Sequence, residues 1–155
     1  MYVDNNLLVS GTISGSTITG QSVFSAGTSV LSTNTIDLSQ ARDVAEGQDL
    51  YGRFEYTVAG AGGTSIEHQI IVADDAALTT NVTVIGTTGA IPVASLTLGA
   101  RFACAINPRI ASKGQRFMGA RYVSVGTTTA GAVLGDIGLD IQDGQKSYPS
   151  GFAVL

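Results

Sequence analysis

The sequence predicts an all-β protein: an antiparallel jelly-roll sandwich of about eight strands, with an N-terminal arm and a C-terminal tail. Three observations carry this expectation. Short runs of apolar–polar alternation recur along the chain, the period-two signature of half-buried strands. The clearest is 50–58, with Leu50, Phe54, Tyr56 and Val58 in one row and Arg53, Glu55 and Thr57 in the other. Clusters of Gly, Asn, Asp and Pro separate the runs as turn signals do, and no stretch sustains an amphipathic helix, although 41–46 has room for one helical turn. Short strands punctuated in this way fit a sandwich or barrel. The eight-strand double sheet fits best, and an immunoglobulin-like sandwich is the second choice.

Taken in order, 7–9 is a short first strand. Residues 11–30 are rich in Gly, Ser and Thr, with Ile13, Ile18, Val23 and Phe24 scattered through them. That composition reads as a flexible arm, the alternative being irregular strand pairing. The chain is organised around 32–51, where Ile36 and Leu38 alternate with Thr35 and Asp37 before a Gly- and acid-containing connection at 43–47. After the strand 50–58, 60–63 (Gly-Ala-Gly-Gly) turns the chain. Residues 66–73 form a strand with Ile66, His68, Ile70 and Val72 on one face, and Asp74-Asp75 ends it. A short strand at 81–85 precedes a turn at 86–89, and Pro92 keeps 91–93 out of a sheet centre. Residues 101–106 alternate Phe102, Cys104 and Ile106 against Arg101, Ala103 and Ala105. In 117–125, Met118, Ala120 and Tyr122 oppose Phe117, Arg121 and Val123. Val133, Ile137 and Leu139 are the inner row of a last strand, with Asp136 and Asp140 pointing outward. The organisation is a single domain over 1–155: an N-terminal strand and arm to residue 30, a β core over 31–140 and a tail over 141–155.

Composition bounds the function. The chain has 155 residues, 44% hydrophobic and only 13% charged, against a usual quarter charged. A surface so poor in charge points to contact with other protein, the alternative being solvation by its abundant Ser and Thr. The net charge of −4 argues against nucleic acid or an anionic membrane as partner. The single cysteine leaves no disulfide framework. The first ten residues lack the basic start of a signal peptide, and no apolar run has the length of a spanning helix. The expectation is a soluble protein made in the cytoplasm.

No residue pattern supplies catalysis. His68, the only histidine, lies in an apolar strand row, where a satisfied core residue is the plain reading; catalysis requires an orienting partner and a nucleophile beside it. Cys104 reads as a small buried hydrophobe. Nucleophile elbow, P-loop and dinucleotide fingerprint are all missing, and one His with one Cys cannot close a zinc site. Asp136, Asp140 and Asp143 match no calcium loop. The expectation is a protein that is not an enzyme and has no cofactor or metal. The charge layout says more. Arg101, Arg109, Lys113, Arg116 and Arg121 are five of the eight basic residues and have no acid among them. They read as a docking face for an acidic protein surface, or more plainly as a solvated basic edge.

Several residues are familiar together: Met1-Tyr2-Val3-Asp4 with Leu7-Leu8-Val9-Ser10, then Ser32-Thr33-Asn34-Thr35-Ile36-Asp37-Leu38, Ala41-Arg42-Asp43, Gly47 with Leu50-Tyr51, Ile91-Pro92, Leu98-Gly99, Arg116-Phe117-Met118 and Arg121-Tyr122. In these the chain resembles the jelly-roll cementing (decoration) proteins of short-tailed bacteriophage capsids, over most of 1–140. It departs from their pattern in the long insert at 11–30 and at Gly119 and Ala120, where larger side chains are expected. The resemblance implies a virion structural protein on the outer capsid surface that binds the major capsid protein, staples neighbouring capsomers and brings no catalytic residues. It makes the basic run the candidate capsid-docking face. A homo-oligomer on a symmetry axis gains avidity from its second contact, and a dimer is favoured over a trimer. The mixed-charge loop 37–47, with Asp37, Arg42, Asp43 and Glu46, is the candidate subunit contact. A carbohydrate- or receptor-binding jelly roll is the alternative, weakened by the absence of Trp; a cupin-type enzyme would require several converging ligands.

Overall fold

The computed structural model of the protein describes residues 6–24, 29–39, 45, 47–107 and 114–139. Among them lie twelve strand segments: β1 (Leu8–Ser10), β2 (Thr12–Ser14), β3 (Thr17–Thr19), β4 (Gln21–Ser22), β5 (Ser29–Leu31), β6 (Ile36–Asp37), β7 (Tyr51–Gly62), β8 (Ser65–Ala73), β9 (Thr83–Pro92), β10 (Arg101–Ala105), β11 (Phe117–Val125) and β12 (Thr128–Gly138). β1 and β4 lie end to end along one edge of β12, and β5 and β6 along one edge of β11. Each of these pairs is therefore one interrupted strand. The first sheet runs β1/β4–β12–β7–β10 and the second β5/β6–β11–β8–β9.

Counted this way, and with the separate two-stranded β2–β3 sheet set aside, the two large sheets hold eight described strands, paired as a nest: first with last, second with seventh, third with sixth, fourth with fifth. A long hairpin folded over and wrapped into two sheets gives that order, which is the jelly roll. The expected fold class is the observed one. In an immunoglobulin-type sandwich the first two strands share a sheet; here they belong to opposite sheets.

Most of the inner rows are those that the alternation predicts. Phe54 and Tyr56 of β7, Ile66, His68, Ile70 and Val72 of β8, Met118, Ala120 and Tyr122 of β11, and Val133 and Ile137 of β12 are buried together. Each large side chain removed from water there contributes about 1.5–3 kcal/mol. Val58 and Leu139 leave their expected inner rows and are 49% and 58% exposed. Val58 sits where the β7–β12 ladder slips register, and Leu139 lies just past the end of β12.

The stretch 11–30 is not an arm where it is described. β2 and β3 form a hairpin with Thr12 opposite Thr19 and Ser14 opposite Thr17. The two-residue loop has a positive φ of 59° at Gly15 and none at Ser16, the pattern of a type II′ turn. The hairpin is an excursion out of the edge strand formed by β1 and β4. Low alternation hid it because both strands are exposed on their polar rows. The expected turn at 86–89 is likewise part of a strand. β9 runs through it with two bulges opposite β8, one of them at Gly89 with φ of 68°, and bulges of this kind blunt a sheet edge. Residues 41–44, 46 and 140–155, which include the expected helical turn and the tail, lie outside the described residues.

A second, smaller core covers part of the outer face of the second sheet. The connection 74–82 folds back so that Leu78 packs on Ile71 and Ala73, flanked by Leu31, Val82, Val84 and Phe117. Asp75 holds the connection in shape by accepting from the Thr79 and Thr80 N–H groups at 2.9 and 2.6 Å. This explains the small residue at 119. A side chain there would begin 2.5 Å from Leu78 and 2.7 Å from Ser32 Oγ, so nothing larger fits. We expect Gly119→Val to lower stability by about 1–3 kcal/mol through overpacking. Urea unfolding checks this, and an unchanged midpoint would show that Leu78 is not seated there.

Candidate interaction surfaces

The segment 32–38, the most distinctive part of the sequence, is a seam joining the two sheets. Ser32 exchanges bonds with Ala120 of β11: its N–H donates to Ala120 O at 2.8 Å, and its Oγ accepts from the Ala120 N–H at 2.9 Å. The Thr33 N–H donates to Gln21 Oε1 at 2.9 Å, while Gln21 Nε2 donates to Leu31 O at 2.7 Å. Asn34 reaches back to β1, its N–H donating to Val9 O at 2.9 Å and its Nδ2 to Leu8 O at 3.2 Å. Thr35 Oγ1 donates to Ala76 O at 3.0 Å. Ile36 packs into the core, and Asp37 takes an ion pair from Arg116. A seam between two sheet edges needs polar side chains at fixed places, because each edge strand leaves backbone groups unpaired. The motif therefore shapes the frame and closes this side of the sandwich.

The described residues of the basic run do not form one face. Arg109 and Lys113 lie outside the described residues. Arg101 is opposite Glu55 in the β10–β7 register and donates to it at 3.0 Å, on the side of the first sheet away from Phe54. Arg121 alternates with Ala120 and Tyr122, which face inward, so it lies on the outer face of the second sheet. These outer faces are on opposite sides of the sandwich. Arg116 precedes β11, lies 5.1 Å from the Phe117 ring centre and binds Asp37 through two bonds of 2.7 Å. Two residues expected in separate roles, Arg116 in docking and Asp37 in the subunit contact, are thus partners. Arg42, Asp43 and Glu46 lie outside the described residues.

The Arg116 pair and the Ser39 N–H hold the Asp37 carboxyl at about 2, below its usual value. Arg116→Gln should return it toward the ordinary aspartate range near 4. Carbon-detected NMR titration of Asp37 reads this directly, and a value still near 2 in the variant would remove Arg116 as the cause.

The residues with chemical potential are taken up inside. His68 is fully buried among four rings, with centroids of Phe54, Tyr56, Phe102 and Tyr122 at 4.9, 5.7, 5.8 and 5.6 Å. Its Nε2 is 2.9 Å from the Tyr56 hydroxyl, and burial lowers its pKa to about 4. Tyr122, whose ring packs on His68, donates to Ser10 Oγ at 2.6 Å. Burial raises the Cys104 thiol to about 11, so it is a protonated packing residue. A cleft of about 290 Å³ between β9 and β10 is lined by Val84, Ile85, Gly86, Thr87, Ala105 and Asn107, none of which titrates.

Asp136 corrects another expectation. It lies on the outer side of the first sheet as predicted, but it is fully buried instead of solvated. Its partner across the ladder is Arg53, which donates through Nε to Oδ1 at 3.0 Å and through Nη2 to Oδ2. Burial pushes the Asp136 carboxyl above its usual range, against the pull of Arg53. Among the described residues, no three His, Cys, Asp or Glu side chains gather as metal ligands, and no helix is long and apolar enough to cross a membrane. Asp140 and Asp143 lie outside the described residues.

The model of the Bbp16 family matches residues 18–137, more than half of the chain. The chain belongs to the Bbp16 family. The name is phage-related. No curated protein matches the chain. The match starts within β3 and ends within β12, so in this Bbp16 protein it takes in the seam and most of both sheets, while β1 and β2 lie outside it.

Residue patterns missed a feature that the sheet register supplies. On the outer face of the second sheet, Arg121 Nε donates to Gln69 Oε1 at 2.7 Å, Gln69 Nε2 donates to Glu67 Oε1 at 2.8 Å, and Thr87 Oγ1 donates to the same oxygen at 2.6 Å. The outward parity of Glu67 and Gln69 was legible on β8. That β11 and β9 flank it was not.

Proposed function

We propose that this Bbp16 protein is a structural protein of a phage virion: a capsid decoration protein that binds the outside of the assembled major-capsid-protein shell and staples neighbouring capsomers. The observation that carries the proposal is the match to a phage-related family across a jelly-roll frame. It is supported by the placement of the chemically capable residues. His68 and Cys104 are enclosed in the core, and Asp136 is spent on Arg53. A low-charge surface with exposed Ile18, Val58, Leu98 and Val125 suits contact with protein.

In this reading the protein acts as a homo-oligomer. One weak contact fixes the next at high effective concentration, so modest subunit affinities combine into a lasting clamp. A dimer on a two-fold axis is the simplest closed form.

Adding the purified protein to shells that lack it tests the proposal. Sedimentation with the shells and a higher rupture temperature are expected. Binding that leaves the rupture temperature unchanged would remove the stapling role, and absence of binding would remove the capsid reading.

A further inference from the structure

Half of the outer face of the second sheet is covered by the connection 74–82, and half is open. Outward positions on β11 run Phe117, Gly119, Arg121, Val123 and Val125. The first two lie under or beside Leu78. The last three continue beyond it, with Val123 half-buried and Val125 55% exposed. Leu31 stands opposite Arg121 on β5, and Gln69 opposite it on β8.

Arg121 differs from the other described arginines of its run. Arg101 and Arg116 are already paired with the carboxylates Glu55 and Asp37. Arg121 bonds instead to a neutral amide oxygen through Nε, with the Glu67 carboxylate within electrostatic reach but not bonded to it among the described contacts. The bond to Gln69 fixes the guanidinium plane, and Gln69 is fixed in turn by Glu67 and Thr87. Gln69 is only 9% exposed, so the support is rigid. Among the described residues neither Nη group at the end of the fork is bonded, so their donors are left to an incoming group. A carboxylate takes two such parallel donors. Holding the long side chain in place beforehand removes most of the ordering cost of that contact.

We propose that the open half of this face is a protein-docking surface centred on Arg121, whose partner presents a carboxylate between apolar side chains. The carboxylate meets the Nη fork of Arg121, and apolar groups cover Val123 and Val125. Glu67, held through one oxygen, adds a fixed anion two positions along β8 from Gln69. The partner must set a donor against it, which makes the match selective. An arginine amid apolar contacts is also the composition on which protein interfaces concentrate their binding energy. The identification of this partner as the capsid shell rests on the function proposed above.

The test compares shell binding by the whole protein with that of three variants. Arg121→Gln removes the charge without adding a repulsive one, and Val125→Asp alters an exposed position with little risk to the fold. Arg101→Gln lies on the opposite outer face. Arg121→Gln and Val125→Asp should each weaken binding at least tenfold, and Arg101→Gln less than twofold. The Arg121 loss should shrink as salt rises. Equal losses for Arg101→Gln and Arg121→Gln, or near-native binding by Arg121→Gln, would overturn the proposal. A second measurement does not depend on the shell. Side-chain NMR of the arginines during titration with hexaglutamate should shift Arg121 well ahead of Arg101 and Arg116. That result with no shell binding would sink the capsid reading and keep the docking face; uniform or absent shifts at Arg121 would overturn the face itself. If Arg121→Gln turns a sedimenting oligomer into a monomer, the face is a contact between copies and the proposal fails.

Discussion

Replacing Arg53 with methionine is expected to lower folding stability by about 3–5 kcal/mol, because it leaves the Asp136 carboxylate buried without its counter-charge. Asp136 is fully enclosed and Arg53 is 9% exposed. The guanidinium lies flat against Gly138, where a Cβ would collide with it. The pair joins the two central strands of the first sheet, with Asp136 directly across from Arg53. Removing both charges together is a different experiment. Arg53→Met with Asp136→Leu should recover most of the loss, since replacing a buried ion pair by apolar groups of similar volume is often neutral or stabilising. Urea unfolding of the wild type, the single variant and the double variant decides it. If the double variant is as unstable as the single, apolar contact of Arg53, and not its charge, supports the strand pair.

The second large effect is a dependence of stability on pH that runs through His68. Burial lowers its folded pKa to about 4, while the unfolded chain titrates near 6.5. Between these values the unfolded state binds more protons, so stability rises with pH across the window. The contribution is fully present above pH 6.5 and is lost progressively as the pH falls toward 4. About 2.5 pKa units correspond to roughly 3 kcal/mol. Protonation would also place a cation inside a cage of four rings, one of which, Tyr56, is held at 2.9 Å by a hydrogen bond. The carboxyls of Asp37, Glu67 and Asp75 are all lowered, and they add losses of their own in acid. The comparison must therefore be a difference. A Tyr56→Phe, His68→Phe double variant removes the titrating group and its partner hydroxyl together. Unfolding free energies at pH 7, 5.5 and 4.5 should fall less steeply for this variant than for the wild type. Parallel slopes would show that His68 does not titrate within the window.

Both effects depend on positions whose neighbours were hidden in the chain. His68 was legible as an inward residue from its alternation with Glu67 and Gln69, and the structure places it at the centre of the core. Arg53 was legible as outward. Nothing local told that it would be buried, because its partner lies 83 residues away. The separation within the basic run was hidden for a related reason. Arg101 and Arg121 are close in sequence but belong to different sheets, and the crossover between them turns proximity along the chain into separation across the sandwich. The hairpin at 12–19 was missed because its strands are three residues long, too short for alternation to stand out against a Ser- and Thr-rich background.

The sequence by itself determined the class of fold, most inward rows and the absence of a recognisable catalytic motif, because a two-residue period reports directly which face of each strand meets the core. It also marked 32–38 as unusual. Only the tertiary structure decided that this segment is the seam between sheets, that Asp37 and Arg116 belong to each other, and that Arg121 bonds to a neutral amide where Arg101 and Arg116 meet carboxylates. In a jelly roll nearly every strand is paired with one distant in the chain. Pairing across such distances is settled by the packing of the whole molecule, and alternation within a strand carries no record of it.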